Sequence, residues 1–129
     1  MHRPAFLVLV SFVLLHSSLQ ASPAEAQSVV KRYEAAMEKW SLQANAAATA
    51  EERQKVWSSR PDGAPFAREL WTVIAGSLGE EWILEPAAWF IRVSAGLVAP
   101  GQAGGAPIFT KQNEMICEAV EKYHWRVRN

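Results

Sequence analysis

The sequence predicts an all-α protein, a small bundle of four to five short helices that follows a cleaved signal peptide. Three observations predict it. Apolar residues after residue 27 recur at alternating gaps of three and four. No segment alternates with period two over the length of a strand. The stretch from Asp62 to Val98, which holds three of the six tryptophans, reads as two helices joined by a short glycine-bearing turn.

The amino terminus is read first because it sets what remains to fold. A weakly basic start, Met1-His2-Arg3, precedes an apolar run from Ala5 to Leu15 and then a polar stretch closing on Ala24-Glu25-Ala26. That order is a secretory signal peptide with small residues at its cleavage site. The run is too short for a bilayer span, which takes about 20 apolar residues. Cleavage is expected after Ala26, with Ala21 as second choice. No cysteine lies near that site, so neither a lipid anchor nor a stable membrane anchor is expected after processing. The domain reading is 1–26 signal peptide, 27–99 helical domain, 100–107 Gly/Pro linker and 108–129 C-terminal helix. The location expected is periplasmic or secreted.

The full chain carries 13 basic and 13 acidic residues. A zero balance makes no electrostatic case for nucleic acid or an anionic membrane surface. A single cysteine, Cys117, excludes an internal disulfide, so packing alone must hold the fold. Burial of that free thiol, as a small hydrophobe, is expected.

The first mature segment, Ser28 to Ala47, places Val30, Tyr33, Met37, Trp40, Ala44 and Ala47 on one helical stripe. Lys31, Arg32, Glu34, Glu38 and Lys39 fall outside it and should face water. Thr49 and Glu52 form a capping box, which starts a short helix at Ala50. That helix has few apolar residues besides Val56 and Trp57 and must lean on its neighbours. Its Glu51–Lys55 pair sits one turn apart.

Both prolines and the Asp-Gly pair of Arg60–Pro65 break the chain. A third helix is expected from near Pro65, with Phe66, Leu70, Val73, Ile74 and Leu78 inward and Gly79 supplying a left-handed terminus. A fourth starts at Glu85 or Pro86, after an extended or single-turn lead-in, and runs to Leu97. Its inward face carries Trp89, Phe90, Val93 and Leu97. Apolar residues on its other sides (Ile83, Leu84, Ile91, Ala95) mark it as the most buried segment. Pro100–Pro107 is a flexible linker by composition. Thr110 should cap a last helix to about Val127, with Ile116, Val120, Tyr123 and Val127 inward. A Glu118–Lys122 pair and the basic residues Lys122, Arg126 and Arg128 fall toward its end.

Candidate chemistry is thin. Cys117 and His124 lie two turns apart on one helix, about 10.5 Å along its axis, too far for the hydrogen-bond contact of a thiol–imidazole pair. One cysteine and one mature histidine cannot make a zinc site, and there is no CxxC. The linker lacks the lysine-then-Ser/Thr order of a phosphate loop. Glu80, Glu81 and Glu85 cluster beside Trp82 and Trp89, the ingredients of sugar hydrolysis, although acids before a helix start also serve its dipole. Trp40 and Trp89 belong to the core by position. Trp71 and Trp82 are not absorbed by a core stripe and, with the three glutamates, are the candidate contact surface. No cofactor and no catalytic residue are expected.

Four runs carry a resemblance: Tyr33-Glu34-Ala35-Ala36-Met37, Ala48-Thr49-Ala50-Glu51-Glu52-Arg53, Arg60-Pro61-Asp62-Gly63-Ala64-Pro65-Phe66-Ala67 and Glu85-Pro86-Ala87-Ala88-Trp89. Their spacing, over about half the chain, resembles the helical TPR-like region that precedes a thioredoxin-like domain in some exported bacterial redoxin proteins. The resemblance implies TPR-like helix pairs and an envelope location, and carries over no catalytic residue. The expected function is a non-enzymatic module binding a protein partner in the envelope. The alternatives are a glycan-binding protein or weak glycan hydrolase, or an accessory subunit of an envelope redox system.

Overall fold

A computed structural model describes residues 21–101 and 104–125; the apolar run Ala5–Leu15, and Arg126, Val127 and Arg128, lie outside the described residues. Among the described residues five α-helices follow one another: α1 Pro23–Ala46, α2 Ala50–Ser58, α3 Gly63–Ile74, α4 Leu84–Ser94 and α5 Thr110–Ala119. The architecture is a small all-α bundle, with no strand among the described residues. An antiparallel bridge, Val98 to Pro107, closes the loop before α5.

Helix α1 starts five residues earlier than its apolar stripe suggested. Ser22 accepts a hydrogen bond from the Glu25 N–H, and Pro23 opens the first turn, where its missing N–H leaves nothing unpaired. Of the two buried residues of α1, Ala26 sits in this added length and Val29 lies just after it. The predicted stripe from Val30 to Ala47 is half-buried instead, because α3 and α4 cover α1 chiefly toward its start. The charged residues Lys31, Arg32, Glu34, Glu38 and Lys39 are exposed as their positions require.

The Thr49–Glu52 capping box forms in both directions. Helix α2 has no buried residue and is fastened through Trp40 of α1, whose indole donates to the Val56 carbonyl at 2.8 Å. Trp57 meets Trp40 edge to face at 5.1 Å, and the Arg60 guanidinium lies over the Trp40 ring. Trp40 therefore serves a satellite cluster between α1 and α2 rather than the main core.

Helix α3 begins at Gly63, two residues before Pro65, because Asp62 accepts from the Ala64 N–H and so caps it. Its small residues Gly63, Ala64 and Ala67 are buried with Leu70 and Ile74. A Cβ on Gly63 would stand 2.9 Å from Val93 Cγ1, so α3 and α4 approach more closely there than any side chain allows. Gly79 is not left-handed: the positive-φ glycines are Gly101 and Gly104. Helix α3 ends in a 3₁₀ turn, Ala75–Ser77, whose tightened bonds take up its last carbonyls. A Cβ at Gly79 would meet the Tyr123 ring at 3.7 Å, an ordinary contact.

The lead-in to α4 is a single 3₁₀ turn, Glu81–Ile83. Helix α4 begins at Leu84, so Pro86 falls within its first turn and breaks no internal bond. Ile83, Ala87, Trp89 and Phe90 are buried, while Leu84 and Ile91 are exposed and the segment is one-sided rather than wholly enclosed.

Thr110 is not the cap of α5. It is the first helical residue, and its hydroxyl donates back to the Pro107 carbonyl at 2.9 Å. Phe109, just before the helix, is buried edge to face on Phe90 at 5.5 Å, and Ile116 joins the same core as Leu70 and Phe90. The C-terminal helix therefore shares its core with α1, α3 and α4. A π-helical turn, Val120–His124, follows α5. Its wider pitch carries an extra residue and rotates the face. Tyr123, expected inward, is 48% exposed, while His124 turns in and places Nε2 3.0 Å from the Leu78 carbonyl oxygen.

Ion pairing also differs from the sequence pattern. Among the described residues the salt bridge formed is Arg32–Glu69, between α1 and α3, and not Glu51–Lys55 or Glu118–Lys122. The π turn spoils the second spacing, and the Lys122 ammonium lies over the Tyr123 ring instead.

Candidate functional site

The start of α1 and the start of α4 run side by side and leave an open cleft between them, with a volume of about 450 Å³. Spacing builds both walls. On α1, Pro23, Ala26, Val30 and Glu34 recur at three- and four-residue gaps; Trp82, Glu85 or Pro86, Trp89 and Arg92 do the same on α4 and its lead-in. The floor is apolar, from Val30, Pro86 and Trp89. Lys31, Glu34, Glu85 and Arg92 supply two charges of each sign around it.

The floor is held rigidly. Trp89 is buried, with Tyr33 edge to face at 5.4 Å, and Tyr33 also meets Phe66 at 5.3 Å. Such aromatic pairs lock ring orientation in addition to burying area. Trp82 is half-buried, and its indole N–H donates to the Glu80 carboxylate. That bond fixes the ring at the cleft wall.

The candidate contact residues are thereby divided. Trp82 and Glu85 line the cleft. Glu80 acts on it through Trp82, and Glu81 is exposed outside its lining. Trp71 is elsewhere: half-buried, it leans on Phe90 at 5.7 Å and joins the edge of the core. Cys117 is exposed rather than buried, because the inward positions of α5 are taken by Ile116 and Ala119. His124 is spent on the end of α3, so no thiol–imidazole contact forms.

Sequence reasoning missed Pro23 and Ala26 by assigning them to the leader, and treated Lys31 and Glu34 only as solvated. Ala26 and Glu34, four residues either side of Val30, and Pro23, three before Ala26, were the available signal. It also passed over Trp57 and Trp125, which are 57% and 80% exposed and lie outside the cleft lining.

Among the described residues no three His, Cys, Asp or Glu side chains converge to hold a metal, and no helix is long and apolar enough to cross a membrane. Glu52 is the acid whose environment changes its proton affinity: the N–H groups of Thr49 and then Ala48 bond its carboxylate and lower its pKa. It belongs to the α2 cap, away from the cleft. Compared with known proteins, the chain matches no family model, no curated protein and no solved structure.

Proposed function

We propose that this is an exported, non-enzymatic protein-interaction module of the bacterial envelope, which takes a segment of a partner protein in the cleft between α1 and α4. The carrying observation is the cleft itself, with Trp82 and Trp89 beside Pro23, Val30 and Pro86, and charges of both signs at its edges. Rigid aromatic anchors bordered by polar groups are the composition of an interaction hot spot. The likeness to TPR-like helix pairs belongs to the same reading and adds an envelope setting. A photo-crosslinking residue at Gln27, on the cleft wall, should give a discrete adduct in cells that is lost with Trp82→Ala. The same probe at Lys55, on exposed α2, should give none. Equal adducts from both positions would overturn the reading.

A second reading is favoured by Trp82 and Glu85 facing one cleft, an indole to stack on a sugar ring and a carboxylate to accept its hydroxyls. In that case cell-wall glycan fragments would quench tryptophan fluorescence in the wild type and leave Trp82→Ala unchanged.

A further inference from the structure

The bond after Ala26, which the small residues Ala24 and Ala26 favour for leader removal, lies inside α1. Ala26 is the fourth residue of that helix and is 2% exposed. The bond after Ala21 lies outside it. Ser22, immediately beyond, is extended at φ −125° and ψ 154° and caps the helix through the Glu25 N–H. We propose that the leader is removed after Ala21, so that the processed chain begins at Ser22. This rests on the export reading above.

The chemistry is amide hydrolysis by an envelope peptidase that recognises a small residue. Water adds across the Ala21–Ser22 bond, leaving a carboxylate on Ala21 and an ammonium on Ser22. Extended segments are recognised because their main chain is free to pair with another protein. Ser22, immediately after the Ala21 bond, stays extended with α1 formed. The bond after Ala26 lies within α1, and Ala26 is buried, once the domain has folded. The product matters as much as the access. Starting at Ser22 keeps the cap, the Pro23 first turn and the buried Ala26. Starting at Gln27 removes all three, along with Pro23, Ala24 and Ala26 from the cleft lining. Leu19 is bulkier than the residue a small-residue rule prefers at the third position before the cut. The fold outweighs that preference.

The test is the intact mass and amino-terminal sequence of the periplasmic product when the full chain, with its own leader, is made in a bacterial host. A product beginning at Ser22 is expected. One beginning at Glu25 or Gln27 overturns the assignment while leaving export standing. A cytosolic product retaining the leader overturns both. Ala21→Leu should abolish the Ser22 product, and undiminished release of that species would also overturn the assignment.

Discussion

Asn113 of α5 donates from Nδ2 to the buried Ser94 Oγ of α4 at 3.2 Å, and this is the polar tie that seats the last helix on the bundle. Ser94 is completely buried, and while its oxygen accepts from Asn113 its own proton can go to the Ile91 carbonyl. Asn113→Ala should therefore cost about 1 kcal/mol. Urea unfolding should show a lower midpoint with an unchanged slope. An unchanged midpoint would remove this bond from the account of how α5 is held.

The close approach at Gly63 makes a two-sided prediction. Gly63→Ala drives a methyl into Val93 Cγ1, a stiff β-branched group, and should destabilise by about 1–3 kcal/mol. Val93→Ala alone opens a cavity. The double variant should be more stable than the two separate losses add up to, because the new methyl occupies the vacated space. Strict additivity in thermal melts would contradict the contact.

Shortening the chain to begin at Gln27 removes the Ser22 cap, worth about 1 kcal/mol, and the buried Ala26. Compared with a chain beginning at Ser22, its melting temperature should fall by roughly 4–8 °C for each kcal/mol lost. Differential scanning calorimetry of the two chains side by side is the measurement.

Acid should loosen α2 before the rest. Glu52 has a lowered pKa in the folded chain because it accepts from the backbone of Thr49 and Ala48. Its stabilisation is thus complete above the ordinary carboxylate pKa and is lost as pH falls through the lower folded value. NMR should show the Glu52 carboxylate titrating below the usual range, with α2 amides losing protection in step. Thr49→Ala keeps both backbone donors and should leave most of that lowering in place.

Exposure of Cys117 predicts rapid alkylation by a small reagent in the native protein, at a rate close to that of the denatured chain. Cys117→Ser should leave stability within about 0.5 kcal/mol, as surface substitutions do.

Local chemistry was legible along most of the chain. The capping box at Thr49–Glu52, the break before α3, the single-turn lead-in to α4 and the inward positions Leu70, Ile74, Trp89, Phe90 and Ile116 all follow from residues within a few positions of each other. Cys117 was misjudged from residue type, as a small hydrophobe, while Ile116 and Ala119 hold the inward positions of α5. Gly79 and Tyr123 were misjudged for another, shared reason. Each was assigned from an unbroken α-helical period, whereas a 3₁₀ turn after Ile74 and a π turn after Ala119 change the phase. Those turns are set by how helix ends meet, which periodicity within one helix does not encode.

By itself, then, the sequence determined that this protein is all-α, where its helices break and which side of each is oily, because these depend on nearest neighbours and backbone sterics. The tertiary structure alone decided that Ser22–Ala26 belong to the fold, that Trp71 joins the core edge while Trp82 borders a cleft, and that the thiol faces water. Those outcomes depend on which helices pack together, and helix–helix contact is made between residues far apart in the chain.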